Sequence, residues 1–193
     1  MTLKDLNQKI ASCQKCPLFK TRTQVVPGKG HPKAEIMFIG EAPGQKEDQT
    51  GEPFVGAAGK FLNEMLETIN LKREDVYIAN VCKCRPPNNR DPLPEEVIAC
   101  WPWLLEQINL LQPKLIVTLG RHSMERFLPS FKISQIHGKA LRRKIEGIHS
   151  SAKGQVFYTL YHPAAALYNG SMRETLIKDF QRIPKLIKKI KEE

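Results

Sequence analysis

The amino-acid sequence predicts a single α/β domain over residues 1–193, with a central four-stranded, mostly parallel sheet flanked by helices on both faces. Three observations carry that expectation. Four short apolar runs, each closed by Gly, Asn or His-Pro, alternate with stretches whose apolar residues recur every three or four positions. Within each run the apolar residues are consecutive, as in strands buried on both faces of a parallel sheet. The length of 193 residues, 41% hydrophobic and 26% charged, suits one core, since domains typically run to roughly 100–200 residues. The same composition excludes a disordered chain or a collagen-like fibre.

The elements follow in order. Thr2 caps a first short helix, with Leu3, Leu6 and Ile10 spaced along it. The Cys13-x-x-Cys16 turn and a loop holding Pro27, Gly28, Gly30 and Pro32 come next. Ile36-Met37-Phe38-Ile39 is the first strand, ended by Gly40. A glycine-rich loop, GEAPGQKEDQTGEPFVGAAG, leads into a helix over about residues 59–70, with Phe61, Leu62, Met65, Leu66 and Ile69 on one side. Val76-Tyr77-Ile78-Ala79 is the second strand, ending at Asn80. Pro94, Glu95 and Glu96 open a long helix, as a proline and two acids near an N-terminus should, and Pro102 predicts a kink within it. Leu115 to Leu119 form the third strand, ended by Gly120, with a helix to about Phe127. Val156 to Tyr161 form the fourth, ending at His162-Pro163. A last helix spans roughly residues 173–191. Its Ile183, Leu186, Ile187 and Ile190 pack on the sheet, and its Lys185, Lys188, Lys189 and Lys191 stay in water.

Ligands bind at the carboxyl ends of the strands in such sheets. Gly40-Glu41-Ala42, Asn80, Gly120-Arg121-His122 and His162-Pro163 are therefore expected to converge on one crevice. Asn80 offers one acceptor and two donors, which suits the edge of an imide or amide ring. His162 can donate a hydrogen bond or stabilise developing negative charge. Glu41 can orient water or stabilise positive charge. The backbone amides of residues 40–42 can bind a carbonyl oxygen, and Phe54 can stack on a flat ring. Plainer roles fit each residue alone: a turn for Asn80, a strand terminator for His162, a core plug for Phe54, solvated loop carboxylates for Glu41, Glu47 and Asp48. Their joint placement at strand ends favours the site.

Five cysteines, Cys13, Cys16, Cys82, Cys84 and Cys100, form no disulfide framework: the count is odd and no signal peptide precedes them. Cys13 and Cys16 have the spacing that lets two thiolates reach one metal. Cys84 and Cys100 flank a Pro-rich loop, PPNNRDPLP. Four thiolates suit one zinc or one iron–sulfur cluster. Strand alternation gives Cys82 and Cys84 one face, so either is a candidate third ligand; Cys84, at the strand end beside the loop, is favoured.

Thirty Lys and Arg against twenty Asp and Glu give a net charge of +10, which suits either a polyphosphate partner or a solvated basic surface. Lys139, Arg142, Arg143 and Lys144 are read as a DNA-facing loop. No apolar run approaches the roughly 20 residues of a membrane span. The N-terminus, MTLKDLNQKI, lacks the apolar stretch of a signal peptide, so the chain is expected in the cytoplasm, away from membranes.

Gly40-Glu41-Ala42-Pro43-Gly44, continuing through Glu47-Asp48 to Gly51-Glu52-Pro53-Phe54-Val55-Gly56, resembles the first motif of the family 4 uracil-DNA glycosylases, the bacterial and archaeal enzymes that carry an iron–sulfur cluster. Asn80 with Lys83-Cys84-Arg85-Pro86-Pro87, and His162-Pro163-Ala164-Ala165, extend the match over about residues 10–185. The resemblance implies a [4Fe-4S] cluster on Cys13, Cys16, Cys84 and Cys100, with Cys82 as a spare. It implies hydrolysis of the bond between uracil and deoxyribose in DNA, single- or double-stranded, by a bacterial or archaeal nucleoid-associated enzyme. Gly40, Glu41 and Ala42 then bind uracil, Phe54 stacks on it, Asn80 reads its polar edge, and His162 lies near the carbonyl that gains charge. The better-known glycosylase branch has an Asp in this loop to position water. Here Ala42 stands in that place, which leaves Glu41 and Glu47 as the candidate catalytic carboxylates. No lysine is placed as a nucleophile, so a monofunctional enzyme that leaves an abasic site is expected, working as a monomer. Two rivals remain: a non-catalytic metal-stapled nucleic-acid-binding module, and a glycosylase of broader base specificity. The acid at Glu41 speaks against the second.

Overall fold

The computed structural model describes all 193 residues. Its helices are α1 (Leu3–Ala11), α2 (Gln45–Thr50), α3 (Ala57–Glu67), α4 (Pro94–Leu111), α5 (Arg121–Phe127), α6 (Ile133–Ile136), α7 (Gly170–Phe180) and α8 (Ile183–Glu192). Its strands are β1 (Lys29–Gly30), β2 (Ile36–Gly40), β3 (Tyr77–Asn80), β4 (Leu115–Leu119), β5 (Ala140–Arg143) and β6 (Gln155–Leu160). The strands form one sheet in the order β1-β3-β2-β4-β6-β5. The four inner strands are parallel; the two edges pair antiparallel.

Every residue of the inner strands is buried, because both faces are covered. One face packs against α4, α5 and α6 through Leu104, Ile108, Met124, Phe127 and Ile136. The other packs against α3, α7 and α8 through Phe61, Leu62, Met65, Leu176, Phe180 and Ile183. At about 25 cal/mol per Å² of apolar area removed from water, these two layers are the main stabilising term.

Chain direction sets the site. From β2 the chain moves outward to β3, then crosses back to β4 on the other side of β2. That reversal opens a crevice at the carboxyl ends of β2 and β4. The register aligns Gly40 with Asn80 and Leu119 with Leu160, so the loops after all four parallel strands leave the sheet at one level.

The sheet has six strands, not four. The two edge strands escape a reading by apolar runs because β1 is two residues long and β5 carries two arginines. Arg142 and Arg143, expected in a DNA-facing loop with Lys139 and Lys144, therefore lie in a strand. The glycine-rich loop contains a helical turn and a half, α2, closed by Gly51 in the left-handed region (φ 72°). The expected last helix is two helices. Pro184 sits in the first turn of α8, where its missing N–H costs nothing, and the chain breaks at Gln181 and Arg182. Cys82 and Cys84 lie beyond β3, in the turns that follow it, rather than on a strand. Helix α4 runs unbroken through Pro102.

Candidate active site

Gly40, Asn80 and Phe54 meet at the ends of β2 and β3. A Cβ placed on Gly40 would lie 2.4 Å from Asn80 Oδ1 and 2.7 Å from Phe54 Cζ, so only the bare glycine leaves room. Beyond the strands the ladder persists: the amides of Val81 and Cys82 donate to the carbonyls of Gly40 and Glu41, both at 2.9 Å. The loop after β2 is thus tied to the segment after Asn80. Asn80 itself is 2% exposed, yet no protein group engages its carboxamide, and its polar atoms are not sealed off as Glu41 Oε1 is. A buried amide is normally satisfied, so this one awaits a partner.

Phe54 has φ 53°, an uncommon conformation for a side-chain-bearing residue. Two features allow and hold it. Gly59 leaves room for it: a Cβ there would fall 1.8 Å from the Phe54 carbonyl oxygen. Arg73, from the segment before β3, grips the same stretch, with Nη1 donating to the Phe54 carbonyl at 3.0 Å and to Asn63 Oδ1 at 3.2 Å, and Nη2 to the Pro53 carbonyl at 2.5 Å. The Phe54 ring lies 5.7 Å from the His162 ring, tilted by 31°.

His162 follows β6 and caps the short 3₁₀ turn Pro163–Ala166. Its Nδ1 accepts the Ala164 amide at 3.1 Å, which places the proton of the neutral ring on Nε2. Burial pulls its pKa down from 6.5 to about 4, opposed in part by the Glu47 carboxylate. At neutral pH the group is an uncharged N–H donor. Gly120 lets it in: a Cβ there would lie 3.0 Å from His162 Cβ.

The two acids separate. Glu47 stays in the crevice, its Oε1 accepting the amides of Val55 and Gly56, both at 2.9 Å, while Oε2 has no protein partner. Glu41 turns toward α5 instead. Its Oε1 is 3.6 Å from His122 Nδ1, in a small pocket with Val81, Pro92, Val97 and Arg126. Burial raises its pKa, with His122 pulling the other way. Asp91 lies 3.2 Å from His122 Nε2. Ala42 is half-buried beside Glu41. Asp48 is structural: it is 3% exposed and accepts the Thr23 amide at 2.9 Å.

On the α4 side of β3, Cys13, Cys16, Cys84 and Cys100 line one pocket; Cys82 does not line it. Donors face the sulfurs: the Trp103 indole N–H to Cys13 at 3.2 Å, the Arg22 guanidinium to Cys84 at 3.1 Å, and the Lys83 amide to Cys100 at 3.2 Å. The Leu18 amide faces Cys16. Such donors favour thiolates. Cys82 is fully buried beside Cys100, and the interaction within the pair holds the Cys100 thiol below its ordinary value and pushes the Cys82 thiol well up. A single zinc with bonds of about 2.3 Å needs its four sulfurs within roughly 4 Å of one another. The one set of three potential ligand atoms within 4.8 Å of each other is Glu41, Asp91 and His122, with no cysteine in it. The spread of the sulfurs fits a polynuclear group better than one ion.

Of the expected DNA-facing residues, only Lys139 lies toward the crevice, since Gly138 beside it bonds to Thr159 near the end of β6. Arg142 and Arg143 pair with the start of β6, at the far end of the sheet, and Arg142 meets Glu193. Three features escape a sequence reading: Arg73, Lys83 (1% exposed) and Tyr168, which is 96% exposed just past the His162 turn. A lysine or arginine inside a polar stretch gives no sequence sign of burial, whereas an aromatic next to Asn169-Gly170 does hint at a protruding tip.

The profile of the Uracil DNA glycosylase superfamily matches residues 27–188. Three relatives, each named Type-4 uracil-DNA glycosylase, match nearly the whole chain. The one from Archaeoglobus fulgidus is 49% identical, covering 96% of this chain and 93% of its own. The one from Sulfurisphaera tokodaii is 48% identical, covering 96% and 84%, and the one from Thermotoga maritima is 40% identical, covering 95% and 94%.

Proposed function

The chain belongs to the uracil DNA glycosylase superfamily, and on that premise we infer that it excises uracil from DNA by hydrolysing the N-glycosidic bond. The observation that carries the reading is the free, buried carboxamide of Asn80 facing the gap that Gly40 leaves beside Phe54.

A base inside a duplex cannot reach this crevice, so the nucleotide is flipped out, at a cost of a few kcal/mol that is smallest for a mispaired or single-stranded uracil. Phe54 stacks on the ring. Asn80 accepts from and donates to the imide edge. Cytosine presents a donor where uracil presents a carbonyl, so a fixed carboxamide leaves a buried group unpaired and rejects it. As the bond to deoxyribose breaks, negative charge grows on the uracil carbonyls. His162 Nε2–H donates to that charge as a neutral group, and the amides of residues 40–42 add to it. Glu47 is the better carboxylate to hold the attacking water and stabilise the positive sugar, because its Oε2 is free while Glu41 is turned to His122 and Asp91. The reaction is read as monofunctional, ending at an abasic site. A [4Fe-4S] cluster held by Cys13, Cys16, Cys84 and Cys100 would supply a structural tie between the N-terminal segment, the turn after β3 and α4. Lys139 and the exposed Tyr168 ring are offered to the DNA around the flipped nucleotide.

The test is incubation with a labelled uracil-containing oligonucleotide followed by alkali, beside Asn80→Ala and His162→Ala. Breakage at uracil only after alkali, lost or strongly reduced in both variants, is the expected result. Intact DNA that is still bound would return the chain to a binding module. Excision of hypoxanthine at a similar rate would point to the broader specificity.

A further inference from the structure

Lys83 has no role in the reaction as derived above, yet it is the one lysine held inside the protein. Lysines are almost never fully buried unless paired, and Lys83 is 1% exposed. Its Nζ donates to the Asn80 backbone carbonyl at 2.6 Å and to Gln107 Oε1 at 2.6 Å. Gln107, on α4, is itself fully buried and anchored, donating to the Pro27 carbonyl at 2.7 Å and meeting Tyr77 Oη at 3.3 Å. The ammonium therefore hangs from a fixed frame. Its main-chain amide points the other way, to Cys100 Sγ, and its carbonyl accepts the Val26 amide at 2.8 Å. One residue thus spans the distance between the sulfur pocket and the last residue of β3.

Asn80 needs such a hold. Its carboxamide has no protein partner, so its direction follows from the backbone that carries it and from the walls of Gly40 and Phe54. An ammonium-to-carbonyl bond is charge-assisted, shorter and stronger than a neutral one. It fixes the peptide that follows Asn80, and with it the direction of the Cα–Cβ bond.

We propose that Lys83 is a positioning residue for uracil recognition: its ammonium, gripping the Asn80 carbonyl, sets the angle at which the Asn80 carboxamide meets the base. The inference rests on the uracil-excising reading of the site. It makes the cysteine side of the molecule part of base recognition, because the same residue is bonded to Cys100.

The experiment is a double-mutant cycle on the holoprotein with Lys83→Met, Asn80→Ala and the pair. Lys83→Met keeps the length and the apolar stem and removes the charge. Three quantities are read: the single-turnover excision rate, inhibition by free uracil, and binding to abasic DNA. Visible absorbance and the melting temperature report cluster and fold. A misplacement of about 1 Å can cost about a hundredfold in rate. Lys83→Met should slow excision roughly tenfold or more and weaken inhibition by uracil in step, with abasic-DNA binding unchanged. In the Asn80→Ala background it should add less than about twofold, the mark of two residues acting through one contact. Equal slowing in both backgrounds, or no slowing, overturns the proposal. If Lys83→Met fails to fold, Gln107→Met, which removes the frame and leaves the lysine, enters the same cycle with the same expected coupling. A wild-type chain that leaves uracil in place refutes the reading of the site and this inference with it; an active wild type with an additive cycle refutes the inference alone.

Discussion

Replacing Arg73 by Met isolates the cost of holding Phe54 in its unusual conformation. Phe54 lies at φ 53°, a conformation that costs about 1–3 kcal/mol and persists only where the surroundings over-determine it. Arg73 supplies three of the restraints, to the Pro53 and Phe54 carbonyls and to Asn63. Hydrogen bonds to a charged group are worth about 1.5–3 kcal/mol each in net terms. The guanidinium is only half-buried, and water can replace part of what is lost. A total of about 2–3 kcal/mol follows. For a chain of this size each kcal/mol moves the melting temperature by about 2–4 °C, so Arg73→Met should melt roughly 5–10 °C lower. On the stacking role proposed for Phe54, relaxation of the strained residue takes the ring off the base. Base–aromatic stacking is worth about 1–3 kcal/mol, so single-turnover excision should fall roughly 10- to 100-fold. Calorimetry and the alkali assay read the two effects separately. A lowered melting temperature with an unchanged rate would refute the claim that Arg73 holds the ring. An unchanged melting temperature would refute the energetic argument itself.

Three further outcomes follow from the same geometry. His162 titrates near 6.5 when unfolded and at about 4 when folded, so between those values the unfolded chain binds the extra proton; stability present above about pH 6.5 should decline toward pH 4, and His162→Asn should remove that part of the slope in denaturant titrations at stepped pH. Cys82→Ala should keep the absorbance near roughly 400 nm that marks an iron–sulfur group and lose about 1 kcal/mol of stability, whereas Cys100→Ala should be colourless; a colourless Cys82→Ala would make Cys82 a ligand. Gly40→Ala puts a methyl 2.4 Å from Asn80 Oδ1, so it should fold and bind abasic DNA while losing roughly a hundredfold in excision, and near-normal excision would mean that the base sits elsewhere.

The parallel core was legible because burial on both faces writes itself as unbroken apolar runs, and the strand-end residues followed from chain direction alone. Asn80 and His162 sit where that rule puts them, and the four cysteines expected to act together line one pocket. What stayed hidden depends on neighbours rather than on local pattern. Glu41 and Glu47 look alike in a glycine-rich loop, and only the position of His122 turns one of them away. Lys83 sits in the polar stretch Lys-Cys-Arg-Pro-Pro, where nothing local announces Gln107 twenty-four positions on. Pro184 was available as a break signal; the amphipathic pattern running across it masked the break between α7 and α8.

The two edge strands bear on how crowded chains of this protein behave. An exposed strand edge is a row of unpaired N–H and C=O groups that can template pairing with another chain. Here β1 offers only two residues, so that edge presents few free backbone groups. The other edge, β5, carries Arg142 and Arg143, charges that a second sheet would have to accept at its border. The apolar inner strands, which are the segments most prone to form amyloid-like stacks, are fenced by one strand of two residues and one that carries two arginines. Concentrated or heated protein should therefore lose solubility only after global unfolding, and not by sheet-to-sheet growth of the native fold.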